Sequence, residues 1–290
     1  VKVRYIGNTV VSSIGLGGVH WSVTDRVDSV LSIRTIHAAL DAGARLIDTA
    51  LAYTTLSDES HNEDLIAHAL AGHPLRDEVL VATKGGHYRT GPQTFPIDGR
   101  PATLRAHCEM SLRHLGIERL GLYQLHHPDP TVPIEESVQA LADLQQEGKV
   151  GMIGVSNVSR EQLDRASSIT LIASVQNQFS PYDTSDLPLL EECDRRGIAY
   201  LAYSPLGGSD RSSSLLTVTP SAAAVAARLG VSIQQVVLAW ILSRSPTIIP
   251  VVGARRPESI RDSLAAADIQ LDADDLRTID AEAQQTKAVK

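Results

Sequence analysis

Cysteine is scarce in this 290-residue chain: there are two, Cys108 and Cys193, each inside a helix-like segment. That suits free thiols in a reducing compartment better than a disulfide framework or a cysteine zinc site. Basic charge is also in deficit, with 26 Lys and Arg against 34 Asp and Glu, a net charge of −8. A polyanion-binding surface needs the opposite balance, so neither nucleic acid nor an anionic membrane is an expected partner. Long apolar runs are missing too. No window approaches the ~20 uninterrupted apolar residues of a membrane helix, and even the run from Val236 to Leu242 is bounded by Gln235 and Arg244. The opening VKVRYIGNTV lacks the basic flank and apolar stretch of a signal peptide. At 43% apolar and 21% charged residues the chain has the composition of a folded protein. The expectation is a soluble cytoplasmic protein, with residues 1–290 read as one large domain, monomeric or homo-oligomeric. Lysine is rare as well: Lys2, Lys84, Lys149, Lys287 and Lys290 are all there are, and of these only Lys84 closes an apolar run.

What is present is a repeated pattern. Two β-rich runs around Gly7-Asn8 predict a hairpin at the N-terminus. After it, short apolar runs recur: Ser12 to Leu16, RLIDTA at 45–50, VLVATK at 79–84, LGLYQLH at 120–126, VGMIGVSN at 150–157, SVQNQF at 174–179, IAYLAYSPL at 198–206 and TIIPVVG at 247–253. Between them lie helix-like stretches, such as Val30, Ile33, Ile36 and Leu40, with apolar residues three or four apart. Several of these stop at a glycine just before the next strand, at Gly43, Gly72, Gly116, Gly148 and Gly197. Glycine is favoured in a left-handed helix cap, so one helix-to-strand turn is written again and again. Eight strand–helix units with strands apolar on both faces leave a doubly wound sheet or a closed barrel. Eight units in this length, after a hairpin, favour a (β/α)8 TIM barrel with the hairpin capping its bottom. The long connections, Gly85 to Pro101 and Leu206 to Thr219, both follow strands. That is the side on which a barrel carries its active site.

Four ionisable residues fall at or just past the ends of consecutive early strands: Asp48, Tyr53, Lys84 and His126. In a barrel those ends are neighbours. A lysine closing a buried strand requires a carboxylate, because an unpaired buried ammonium loses several kcal/mol of hydration. Asp48 is the available one. A phenol has a pKa near 10 and is a weak acid, so an adjacent Lys84 is expected to lower the Tyr53 value and let it donate a proton. His126 would hydrogen-bond a substrate carbonyl oxygen. The set reads as a proton-delivery site for carbonyl reduction. Strand alternation predicts that His126 and His127 point to opposite sides, which argues against a metal site built on that pair.

Together GARLIDTALAY, VATKGG, LYQLHHPDP and VGMIGVSN resemble the aldo-keto reductases, in order and across nearly the whole chain. The resemblance implies a barrel that binds an extended nicotinamide cofactor without a Rossmann domain. It selects His126 rather than His127 as the catalytic histidine, and it matches Ser156, Asn157 and Gln176 to residues that hold the nicotinamide carboxamide and Tyr203 to the aromatic that stacks on the ring. Ser204, Pro205, Leu206 and Gly207 would begin a loop over the pyrophosphate. The stretch IIPVVGARRPESIRDSL resembles the adenosine-binding segment and contributes Gly253, Arg255, Arg256, Ser259, Asp262 and Ser263, with serines at 259 and 263 where relatives often carry a cation and an asparagine. Arg255, Arg256 or Arg261 could contact a 2′-phosphate, so NADPH is preferred over NADH. Trp21, His87, Tyr88 and His127 are expected to wall the pocket of a small carbonyl substrate, and the Leu206–Thr219 loop to close over the cofactor.

Two other functions compete with the reductase: a Schiff-base aldolase using Lys84, and a slowly turning cofactor-sensing regulatory subunit. The Gly15–Gly18 run lacks the third glycine and the helix of a dinucleotide fingerprint.

Overall fold

The computed structural model describes residues 2–24, 26–208 and 214–288, with side chains as far as residue 283. The hairpin pairs β1 (Val3–Ile6) with β2 (Thr9–Ser12) in antiparallel register, Ile6 opposite Thr9, around Gly7 at φ +55°. Then come β3 (Gly15–Gly17), α1 (Ser29–Asp41), β4 (Leu46–Asp48), α2 (His61–Leu70), β5 (Leu80–Gly85), α3 (Pro101–Leu115), β6 (Leu120–Leu125) and α4 (Ile134–Gln146). The second half continues with β7 (Val150–Ser156), α5 (Arg160–Ser167), β8 (Ser174–Gln178), α6 (Leu187–Arg196) and β9 (Ala199–Tyr203). It ends with α7 (Leu215–Val218), α8 (Pro220–Leu229), α9 (Ile233–Leu242), β10 (Ile248–Gly253), α10 (Pro257–Ala265) and α11 (Ala273–Ala288).

Strands β3 to β10 pair in parallel in sequence order, and β10 pairs back onto β3 through Val251–Gly15, Val252–Leu16 and Gly253–Gly17. The sheet is therefore a closed (β/α)8 barrel. Each expected strand is present, with one shift: Ser12 ends the hairpin, and the first barrel strand starts three residues later. All five predicted stop glycines have positive φ, from +63° at Gly116 to +95° at Gly43. At those angles a side chain would strain the backbone, which explains the repeated residue type.

The apolar residues separate into two bodies. One lies between sheet and helices and includes Trp240 and the buried faces of α1, α4 and α9. The other fills the lower barrel, where Ile6 and Val11 of the hairpin pack with Leu46, Leu80, Ala82, Leu122, Leu201 and Ile249. The hairpin thus plugs the end at which the strands begin. Among the described residues no single helix is long and apolar enough to cross a membrane.

Both long loops lie at the other end. The 86–100 loop folds back on itself through antiparallel bridges His87–Ile97 and Gly91–Thr94. It is anchored by Arg89, whose Nη1 donates to the Thr54 carbonyl at 2.5 Å. The middle of the Leu206–Thr219 loop, residues 209–213, lies outside the described residues, and with it the predicted closure.

Candidate active site

Alternation along β5 turns Leu80, Ala82 and Lys84 inward, and along β4 it turns Leu46 and Asp48 inward. Because Asp48 pairs with Ala82, Lys84 stands one inward position higher and reaches across to it. Lys84 Nζ donates to Asp48 Oδ2 at 2.8 Å and to the Thr49 carbonyl at 2.8 Å, and lies 3.5 Å from Tyr53 Oη. The lysine side chain is 1% exposed and the aspartate 5%. Burial disfavours the ammonium, but Asp48 and Tyr53 outweigh that cost and the Lys84 pKa is raised overall. Thr49, in turn, donates to Asn62, which bridges to the Gly18 carbonyl and Ser22. The pair is held from behind.

The Tyr53 pKa differs from the expectation. Burial raises it, Lys84 pulls it down, and burial prevails, so the net shift is upward. Depth in the barrel is what the sequence does not display. The phenol therefore keeps its proton at neutral pH.

His126 meets Tyr53 edge to face, with ring centroids 5.9 Å apart. The two adjacent histidines do not diverge: the His126 and His127 rings stack at 5.1 Å and 20°, and His87 stands edge-on to both at 4.7 Å. Pleating ends with β6 at Leu125, so the alternation argument stops one residue too early to govern this pair. Burial holds His126 far below the usual imidazole range, lowers His87, and brings His127 to about 4. All three rings are neutral at neutral pH.

A cleft of about 550 Å³ opens over this group. It runs from Asp48, Tyr53, His126 and His127 past Ser156, Asn157, Gln176 and Tyr203 to Ser204, Pro205 and Leu206, and on to Val251, Gly253 and Arg255. The polar members bond to one another: Ser156 Oγ to the Gln176 carbonyl at 2.7 Å, Gln176 Nε2 to Asp48 Oδ1 at 2.8 Å, and Tyr203 Oη to Asn157 Oδ1 at 2.8 Å. Asn157 and Ser204 have φ of +57° and +49°, the two non-glycine residues with positive φ among those described, and both line the cleft. Backbone strain of this kind collects where a site must be held in one shape.

The fold alone leaves the chemistry open, because barrels carry many reactions. The aldo/keto reductase family model matches residues 13–283. The chain belongs to this family. It is 30% identical over 289 residues to an uncharacterised oxidoreductase of Schizosaccharomyces pombe, covering 98% of this chain and 90% of the yeast protein. The glycerol dehydrogenase of Gluconobacter oxydans superposes with a TM-score of 0.85 at 27% identity, over 98% of this chain and 95% of that one. An aldo/keto reductase from Klebsiella pneumoniae, solved with NADP and acetate, superposes with a TM-score of 0.81 at 27% identity, over 96% and 94% of the two chains. The protein is an oxidoreductase.

In this aldo/keto reductase the two ends of the cleft differ in how they match expectation. Asp48, Tyr53, Lys84 and His126, expected to be catalytic, converge with the polar group from Ser156 to Tyr203. Of the adenosine-end set, only Gly253 and Arg255 line the cleft. Ser263 is buried and turns its hydroxyl back to the Ser259 carbonyl at 3.0 Å, while Asp262 accepts from Ser232 at 2.7 Å and so ties α10 to the start of α9. Arg256 is exposed at the N-cap of α10, and neither it nor Ser259 is in the lining. Gly207 has φ +89° and sits beside the lining residues Leu206 and Gly208.

Three of the predicted pocket residues also stand elsewhere. Trp21 is fully buried, donates from Nε1 to the Ala254 carbonyl at 2.9 Å, and supports the wall from behind Gly18. Tyr88 is partly exposed and faces His107 rather than the cleft. His87 touches the cleft only through the other two histidines. Conversely, Val19 and His20 line it without having been singled out, and Gly17 and Gly18 line it although their run reads in the sequence only as an incomplete dinucleotide fingerprint. Their position at the end of the first barrel strand and just past it is the available signal. A Cβ on Gly253 would come 2.7 Å from His20 Cδ2, so glycine there keeps the groove open.

Proposed function

We propose that this aldo/keto reductase reduces a small aldehyde or ketone to the alcohol with NADPH, Tyr53 supplying the proton. The observation that carries the reading is a buried phenol beside a lysine that a buried aspartate keeps charged, at the floor of an elongated cleft. The cleft suits an extended nicotinamide cofactor: glycines at 17, 18 and 253 form part of one wall, where the backbone itself meets the groove, and Tyr203 offers a ring near Ser156, Asn157 and Gln176.

When bound, the cofactor supplies a hydride to the carbonyl carbon. Tyr53 Oη gives its proton to the carbonyl oxygen as negative charge develops there. Lys84, 3.5 Å away, stabilises the phenolate that remains. Asp48 and the Thr49 carbonyl fix the direction of the ammonium, and Gln176 fixes Asp48. His126, neutral, orients the carbonyl oxygen by donating a hydrogen bond. Arg255 is the arginine in the cleft lining and the candidate for a 2′-phosphate, which is why NADPH is preferred to NADH.

A Schiff-base aldolase fits less well. An ammonium bonded to Asp48 and Thr49 and favoured by its surroundings has no lone pair to attack a carbonyl. A cofactor sensor would retain the cleft and turn over negligibly. The deciding experiment follows consumption of NADPH and NADH with a panel of small carbonyl compounds, for the wild type and Tyr53→Phe. We expect sustained NADPH-linked turnover that falls about 10²- to 10⁴-fold in the variant while cofactor affinity is unchanged. Turnover unaffected by Tyr53→Phe, or none with any compound, overturns the reading.

A further inference from the structure

The reductase mechanism uses one imidazole, yet three meet at the mouth. His87, His126 and His127 each present a ring nitrogen, and these atoms all lie within 4.8 Å of one another. They come from two loops: His87 from the 86–100 connection, His126 and His127 from the turn after β6. The His87 Nε2 contact with the Phe95 carbonyl, 2.7 Å, places the proton on Nε2 and leaves the Nδ1 lone pair bare. That Nδ1 is buried without a hydrogen-bond partner among the described residues, as is Nδ1 of His126. Two orphaned nitrogens in one small cluster are unusual, since a buried polar atom without a partner costs about 1–3 kcal/mol. His127 Nε2 accepts only a long 3.3 Å contact from Asn157 Nδ2, which has nearer acceptors in the His126 carbonyl and Ser156 Oγ. Its lone pair is released at small cost.

We propose that His87, His126 and His127 form a transition-metal site that takes Zn²⁺ through three imidazole nitrogens, leaves the fourth position to a water in the cleft, and blocks carbonyl binding when filled. The donor set selects the class of ion. Imidazole suits Zn²⁺, Cu²⁺ and Ni²⁺, whereas Mg²⁺ and Ca²⁺ take oxygen ligands. Bonds of about 2.0–2.1 Å in a tetrahedron require donors about 3.4 Å apart, so the widest pair must close by about 1.4 Å. His127 can supply most of that movement by rotating its ring, because it lies past the end of β6 and is held by the long Asn157 contact. The Phe95 carbonyl would remain bonded to Nε2, the usual outer partner of a metal-bound imidazole. Metal and carbonyl substrate then compete for the His126 ring. That competition rests on the reductase reading, but coordination does not.

The test adds Co²⁺, and then Zn²⁺ as competitor, to the full chain and reads the visible absorption of tetrahedral cobalt. We expect one site per chain whose affinity drops about tenfold or more in His87→Asn and in His127→Gln, with His68→Asn, at an exposed position of α2, unchanged and circular dichroism confirming that all variants fold. In the wild type, Zn²⁺ should protect His87, His126 and His127 from diethyl pyrocarbonate, which needs no variant. It should also raise KM for the carbonyl compound without changing the cofactor Kd. Equal affinity in His87→Asn and wild type, or acylation of these three histidines undiminished by Zn²⁺, overturns the metal site. An enzyme that binds cobalt in this way but consumes no NADPH would overturn the reductase reading and leave the metal site standing.

Discussion

Strands β4 and β5 each pass from one environment to another within a few residues. Leu46 and Leu80, at their lower ends, lie in an apolar plug closed by Ile6 and Val11 of the hairpin. Asp48 and Lys84, two and four residues further on, form a buried ion pair under the cleft. Both ends are equally dry, but for opposite physical reasons. The plug is held by contacts that need no particular direction, so similar volumes would serve. The ion pair is held by directional bonds to Thr49, Gln176 and Tyr53, and each partner would be costly to leave alone. The lower barrel should therefore govern whether the chain folds, and the upper barrel whether it reacts, with Lys84 the residue that belongs to both.

Lys84→Met puts most strain on this division. It strands Asp48 in the interior, and we expect a loss of about 3–5 kcal/mol in urea unfolding together with a collapse of turnover. Loss of turnover with no loss of stability would show that Asp48 is adequately served by Gln176, and the ion pair would then be purely functional. Leu46→Ala probes the other side, two residues from Asp48. The expected cost is about 2–5 kcal/mol of stability, with turnover per folded molecule within about twofold of wild type. A larger fall in turnover would mean that the plug and the mouth are not independent.

The smallest effect is expected in the helical layer, where His114 of α3 bonds Glu63 of α2 at 3.1 Å and Glu63 accepts from Thr83, next to Lys84. The Glu63 hydrogen bond raises the His114 pKa despite partial burial. A histidine whose folded pKa is raised adds stability that is complete below the unfolded value of about 6.5 and disappears as pH climbs through the folded value. The Tm gap between wild type and His114→Gln should accordingly be widest at acidic pH and narrow as pH rises. A gap that is constant across that range would assign His114 a packing role only.

Much of this architecture is legible in the residues themselves. Eight apolar runs separated by glycine-stopped helices leave little choice but a barrel, and strand ends in a barrel converge whatever the details, so Asp48, Tyr53, Lys84 and His126 could be placed together. What escaped depends on depth and rotation. The net shift of Tyr53 is decided by how far it is buried. Trp21 has the size of a pocket wall but slipped beneath Gly18, and Asp262 and Ser263 face away because α10 is oriented by its packing, with Ser232 capturing Asp262. The histidine stack is not legible in the sequence because side-chain alternation ends with the last strand residue, Leu125.

The placement of His87 on a folded-back loop separates two kinds of support at the mouth of the barrel. Asp48 and Lys84 stand on strands β4 and β5, while His87 and Phe95 belong to a connection tied down by its own bridges and by Arg89. Residues 86–100 back the His126 and His127 rings and do not line the cleft, so replacing them would change the support of those two rings without disturbing the Asp48–Lys84 pair. A change confined to that one segment is thus felt in the cleft only at second hand, through the two rings it backs, and leaves the bonds between Asp48 and Lys84 as they stand.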